Sequence, residues 1–322
     1  MVIKTKFIKD INPSSDGSDP KNFVELGDYI YFTADDGTNG RELWRTDGTE
    51  SGTSLVKDIY SGSNSSDIGN LTVVGSYIFF TADDGTDGLE LWKTDGTESG
   101  TSLIKDINSG SGDAFSNPEA YSLVQFINIG NNVYFSADNG TNGFELWKSD
   151  GTESGTSLVK DINPGSTGSS VSNFNNAITY KDYIYFSAGT DSNGQELWRS
   201  DGTSNGTTLF KEFVGSTYSG SPNDFVIAGD YLYFTAIDAT LDRKRVWQTD
   251  GTSNGTIDVS ENSFSSEWSN DTARAKYLTA FGTDIILSSY TDGTDDNYGQ
   301  ELWMIDATAP SAPSSLTTTA TT

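Results

Sequence analysis

The chain of 322 residues contains neither cysteine nor histidine. No disulfide, zinc thiolate, cysteine nucleophile or Ser-His-Asp triad can therefore form. Basic residues are scarce: 19 Lys and Arg face 46 Asp and Glu, for a net charge of −27 at pH 7. Such a surface repels phosphate backbones and anionic lipid, which disfavours nucleic-acid and membrane-surface binding. No apolar run approaches the roughly 18 residues of a membrane span, and the opening MVIKTKFIKD lacks an export-signal core. Proline is rare, at 7, whereas glycine numbers 34, so turns outnumber rigid linkers. Aromatics make up 12% of the chain against 34% for all hydrophobic residues. Aromatic and β-branched residues punctuated by Gly, Asn and Asp predict an all-β fold.

The dominant feature is an internal repeat. A Trp-centred motif ends at Trp44, Trp92, Trp147, Trp198, Trp247 and Trp303, with steps of 48, 55, 51, 49 and 56 residues. Each unit resolves into four strand-like segments. A short apolar segment such as Phe23–Leu26 is followed by an aromatic one, YIYFTAD from Tyr29. A polar Asp/Asn/Gly loop then leads to the ELW segment, which ends at Asp47-Gly48, and to TSLVKDI from Thr53. Asp-Gly and Asn-Gly between apolar runs are strong hairpin signals. Four antiparallel strands per unit is the pattern of a propeller blade. The last unit lacks the SLVKDI segment, and an orphan copy, Thr5–Ile11, precedes the first. The prediction is a six-bladed β-propeller of four-stranded antiparallel blades over residues 1–306, closed by the N-terminal strand completing the last blade. Closure removes an exposed sheet edge; an open solenoid does not explain the split repeat. Residues 307–322, rich in Pro, Ser and Thr, are expected to be a linker toward a further domain of the same polypeptide.

The repeated residues are expected to build the scaffold. Each Trp should pack against the next blade, and Glu42 with Lys57, like Glu90 with Lys105 and Glu145 with Lys160, is placed to form an ion pair. Asp47-Gly48-Thr49 and its copies should make side-chain-capped turns. Chemistry is sought in the other places. Acidic loops carry Asp35, Asp36, Asp83, Asp84, Asp87, Asp292, Asp295 and Asp296, oxygen-rich candidates for calcium, although without EF-hand spacing. Asp10, Asp58, Asp106, Asp161 and Glu212 recur at one position and form a carboxylate ring around a channel if that strand is innermost, or a rim if it is outermost. The fifth unit carries a basic cluster with Arg243, Lys244 and Arg245, and an insertion before the sixth holds Trp268, the one Trp outside the motif. Departures from a repeat are where the scaffold makes no demand, so these four are the candidate ligand contacts.

The strings ELWRTDGT, ELWKTDGT, ELWKSDGT and ELWRSDGT resemble the ELWxxDGT repeat of large bacterial secreted and surface proteins, some termed hyalin-like. The resemblance covers about residues 1–306 and weakens at VWQTDGT and ELWMIDAT. It implies an extracellular, modular setting and no catalytic residues or organic cofactor. DGTNGRELW is also similar to the tryptophan-docking motif of quinoprotein-like propellers, but vicinal cysteines are absent. The expected function is a non-enzymatic binding or adhesion module at a cell surface, with a glycan or protein ligand held by loops on one propeller face. The alternatives are a carboxylate-based glycoside hydrolase or lyase, and a structural spacer of a surface layer.

Overall fold

A computed structural model of the chain describes residues 5–116, 126–165, 167–169, 174, 176–214, 219–238, 243–259, 276–290 and 300–306. Its strands form six antiparallel sheets with no α-helix among the described residues. The first sheet is β1 (Lys21–Leu26), β2 (Tyr29–Asp35), β3 (Arg41–Thr46) and β4 (Ser54–Lys57), paired in chain order. The second repeats it with β5 (Gly69–Val74), β6 (Tyr77–Asp83), β7 (Leu89–Thr94) and β8 (Ser102–Lys105). The third contains β9 (Ile127–Ile129), β10 (Asn132–Ala137), β11 (Glu145–Ser149) and β12 (Ser157–Lys160). In the fourth are β13 (Ile178–Tyr180), β14 (Tyr183–Thr190), β15 (Gly194–Ser200) and β16 (Thr208–Lys211). The fifth has β17 (Asn223–Ala228), β18 (Tyr231–Asp238), β19 (Arg243–Thr249) and the short β20 (Ile257–Asp258). The sixth is a three-stranded sheet of β21 (Lys276–Phe281), β22 (Asp284–Tyr290) and β23 (Gln300–Ile305). The chain divides into two compact units, residues 1–177 with 188–190 and 200–207, and residues 178–187 with 191–199 and 208–322.

Register repeats with the sequence: Phe32 lies opposite Trp44, Phe80 opposite Trp92, Phe135 opposite Trp147 and Phe234 opposite Trp247. The first strands of neighbouring sheets lie side by side, β1 with β5 and β17 with β21. The first strand therefore marks the side on which sheets converge, and the fourth strand is the outer edge. The second strands of the first three sheets are covered on both faces, which explains their near-continuous apolar runs.

The tryptophans point the other way from the expectation. Trp92 shares a cluster with Leu43, Val56 and Ile59 of the sheet before it, and Trp147 shares one with Leu91, Ile104 and Ile107. Adjacent residues of a strand face opposite sides, so the ELW leucine serves the following sheet and the tryptophan the preceding one.

The closing ladder expected from the split repeat is not formed. Residues 5–11 belong to no strand, and the sixth sheet has no fourth strand among the described residues. The consequence shows on β23: Leu302 is 77% exposed, whereas its counterparts Leu43, Leu91, Leu146 and Leu197 are fully buried. The expected linker, 307–322, lies outside the described residues.

Candidate functional site

The ELW glutamates are not partners of the lysines. Glu42 is fully buried on β3, and its carboxylate accepts from the backbone N–H of Ile59 (3.0 Å) and Tyr60 (3.3 Å) and from Ser66 Oγ (2.7 Å). Glu145 is held identically by Ile162, Asn163 and Ser169, and Glu196 by three amides, those of Phe213, Val214 and Gly220. Glu90 accepts from Ile107 and Asn108 at 2.9 Å each, and Ala114 stands where Ser66 does. Each carboxylate thus ties its sheet to the connection leading to the next. Burial pushes Glu42 up to about 7 despite these donors, and pushes Glu90, without a serine, up to about 8. Burial raises Glu145 and Glu196 in the same way. These acids have a displaced pKa, yet no route to a ligand.

The lysines instead reach across to the following sheet. Lys57 Nζ donates to Thr101 O (2.9 Å), Lys105 to Thr156 O (2.9 Å) and Lys160 to Thr207 O (2.8 Å). A second cation, directly after each Trp, donates to the glycine carbonyl of the next Asp-Gly turn: Arg45 to Gly96, Lys93 to Gly151, Lys148 to Gly202 and Arg199 to Gly251.

The Asp-Gly-Thr turns are capped as expected. Asp47 Oδ1 accepts from Thr49 N (2.9 Å) and Thr49 Oγ1 (2.6 Å), and the arrangement recurs at Asp95, Asp150, Asp201 and Asp250. The threonine hydroxyl holds Asp47 below its ordinary pKa, and its copies likewise. A Cβ on Gly52 would come within 2.0 Å of Asp47 Oδ1, which is why glycine recurs there.

Beside these turns, at the same end of the sheets, stand tyrosines that open four of the six second strands, Tyr29, Tyr77, Tyr183 and Tyr231. Arg45 lies 4.8 Å from the Tyr29 ring centroid, Lys93 5.0 Å from Tyr77 and Arg199 4.4 Å from Tyr183. The cation under each ring is already bound to a glycine carbonyl, so the ring is fixed in place. Tyr77 and Tyr231 are each 38% exposed.

The opposite end carries the acidic loops. Asp35 Oδ1 accepts from Gly37 N at 2.7 Å; Asp36 accepts from Thr38 N, Asn39 N and Asn39 Nδ2, all at 2.8 Å. Burial acts on Asp36 most, upward, but the amides of Asn39 and Thr38 together outweigh it and its pKa is lowered. Asp83 and Asp84 cap Gly85, Thr86 and Asp87 in the same fashion. Asp35, Asp36, Asp83 and Asp84 are therefore turn caps, and no group of three acidic side chains able to hold a metal occurs among the described residues. Asp292, Asp295 and Asp296 lie outside them. In the third sheet Asn142 Nδ2 donates to Asp161 Oδ2 (2.7 Å); in the second, Asp87 occupies the asparagine position. Burial, then Asp84 and Asp106, raise the Asp87 pKa. The recurring Asp58, Asp106 and Asp161 follow the fourth strands, so of the two arrangements left open by the sequence they take the one on the outer edge.

The basic cluster is spent internally. Arg245, on β19 where the other sheets place glutamate, pairs with Asp258 at 2.6 Å, and both side chains are nearly buried. Lys244 Nζ lies 3.3 Å from Asp224 Oδ2. The Arg243 side chain and Trp268 lie outside the described residues. What the sequence did signal, and was missed, is the paired change: Glu to Arg at 245 together with Leu to Asp at 258.

No family model and no curated protein matches the chain. Solved structures that resemble it include puromycin hydrolase, at 12% identity and a TM-score of 0.40, over 90% of this chain and 52% of that one. Prolyl oligopeptidase B from Galerina marginata matches at 10% identity and a TM-score of 0.47, over 94% of this chain and 42% of that one. The β-propeller domain of the Trilobed protease from Pyrococcus furiosus matches at 10% identity and a TM-score of 0.41, over 90% and 83%. The chain spans about half the length of the hydrolase it matches. These likenesses include β-propeller domains and carry no argument about activity.

Proposed function

We propose that this chain is a non-enzymatic binding module of an extracellular bacterial protein of the ELWxxDGT-repeat kind, and that it engages a glycan or protein ligand through the tyrosine end of its sheets. The observation that carries this reading is the pair Tyr29 and Tyr77, each set over a cation that a neighbouring turn holds in place. A fixed, partly exposed aromatic ring offers contact area at little entropic cost. The acids support binding over catalysis. Carboxylate-based hydrolysis needs an acid of raised pKa and an ionised partner in one accessible cleft. Here the glutamates with raised pKa are sealed against backbone amides, and the Asp-Gly-Thr carboxylates are held ionised. Glycan and protein arrays probed with the intact chain test the reading: binding to a defined ligand class supports it, and silence on every surface contradicts it.

The hydrolase alternative rests on one observation, the raised Asp87 beside Asp84 and Asp106. Turnover of a polysaccharide that is abolished by Asp87→Asn would establish it.

We propose further that the six sheets make a six-bladed propeller closed by the N-terminal strand. Two features support closure. The free edge of β23 leaves Leu302 and Met304 77% and 56% exposed, and Phe7 is 78% exposed on the segment that matches a fourth strand.

A further inference from the structure

The turn between the first and second strands opens on glycine in five of the six sheets. These are Gly27, Gly75, Gly130, Gly229 and Gly282, with φ of 61°, 61°, 62°, 55° and 68°. The fourth sheet places Lys181 there instead, at φ 54°. A long side chain on left-handed backbone is strained, and such strain persists where the surroundings require that residue. The residue before it departs as well: Tyr180 ends β13 where Leu26 ends β1 and Val74 ends β5.

Both departures lie at the tyrosine end and reach the fifth sheet. Lys181 Nζ donates to the Asp250 carbonyl and lies 5.1 Å from the Tyr180 ring centroid. Tyr180 Oη donates to the Asp230 carbonyl. Arg199 Nη1 donates to Gly251 O (3.1 Å) as Arg45 does to Gly96, with its guanidinium 4.4 Å from Tyr183 and 4.9 Å from Phe210. Tyr185 meets Tyr183 and Phe210 edge to face, at 6.5 and 5.3 Å. Tyr183 is thus a half-buried ring on a fixed aromatic base, two residues after an exposed lysine. Charge narrows what could bind there. Asp182 and Asp230 are exposed in the adjoining turns, and the hydroxyl and amide of Thr252, then Lys181, hold Asp250 below its ordinary pKa. Carboxylates around a single ammonium repel a second anion. Together they offer donors and acceptors that suit neighbouring hydroxyls beside an aromatic face.

We propose that Tyr183 and Lys181 form a subsite for a neutral glycan, with the Tyr183 ring against the apolar face of a sugar and the Lys181 ammonium donating to a hydroxyl. This rests on the binding role proposed above and adds the ligand class and a residue that selects it. Glycine would fit the turn without strain but has no proton to donate from a side chain, which is why lysine stands there.

Affinity electrophoresis of the full chain through gels holding a neutral glucan, a neutral mannan or a polyuronate tests the proposal, with thermal midpoints measured in parallel. A neutral polymer should retard the intact chain and the polyuronate should not. Lys181→Gly, which restores the glycine of the other sheets, should bind about tenfold more weakly, at a midpoint within about 2 °C of the intact chain. Lys181→Arg keeps the charge and the donors and should bind within about twofold. Equal binding by Lys181→Gly, equal losses in both variants, or a midpoint that falls along with binding overturns the role of Lys181 and leaves the binding role of the tyrosine end standing. Retardation by the polyuronate alone, or binding only on protein arrays, overturns the neutral-glycan assignment. Silence on every polymer and array removes the binding role itself, and this subsite with it.

Discussion

At the residue scale the repeat is built from side chains whose polar atoms are already committed. Glu42, Glu90, Glu145 and Glu196 are buried carboxylates satisfied by amides and serine, so their repetition marks a joint and not a reaction centre. Their titration has a definite sign. A carboxyl whose folded pKa lies above its unfolded value binds more protons when folded, so the stability it contributes is present at low pH and lost as pH rises through the folded pKa. With the ordinary glutamate value at 4.5 and the folded values at about 7 for Glu42 and about 8 for Glu90, stability should fall between about pH 5 and 8. The Asp47 series has the opposite sign: its lowered pKa stabilises above the unfolded value, and that contribution disappears as pH falls below about 4. Thermal midpoints should therefore peak near pH 5, and Glu90→Gln should flatten the decline toward pH 8. A midpoint that rises from pH 5 to 8 contradicts the assignment. None of this could be seen in the motif itself. Glu42 and Lys57 suggested an ion pair because both are charged and recur together, but the sequence does not show that two amides and a hydroxyl reach the carboxylate first.

At the scale of the element, strands and turns were legible because their signals are local. Period-two aromatic segments, Asp-Gly pairs and the recurring Thr predicted the hairpins, and the structure shows the Asp47–Thr49 cap that the residues imply. Gly100→Ala should be among the most damaging changes in such a turn, because its Cβ would meet Asp95 Oδ1 at 2.0 Å. We expect a loss of about 1–3 kcal/mol by denaturant titration, against near-neutrality for Ser99→Ala. The acidic loops were legible as turns but not in the use of their oxygens: Asp36 spends both on its own loop. Calcium and a chelator should accordingly leave the thermal midpoint equal within about 1 °C; a rise of several degrees with calcium would show ligands beyond these caps. The direction of the tryptophans and the outer position of the fourth strands were not legible, since both depend on contacts between sheets that no single unit encodes.

At the scale of the whole molecule, a scaffold this self-consistent leaves function to what the repeat does not consume. Of the basic cluster, the clearest anomaly in the sequence, Arg245 and Lys244 are paired with Asp258 and Asp224. Tyr29, Tyr77 and Tyr183 remain, partly exposed and held over their cations, and nothing in the sequence separates them from ordinary strand residues. Trp147→Ala, by contrast, removes a side chain from the contact between the second and third sheets and should cost about 3–5 kcal/mol, with ligand affinity following only the folded fraction. The decisive comparison is binding by Tyr29→Ala and Tyr77→Ala variants on the arrays that detect the intact chain, with thermal midpoints measured in parallel. Lost binding at an unchanged midpoint is the predicted result. Full binding by both variants, or loss only on Asp87→Asn at the opposite end, would contradict the account.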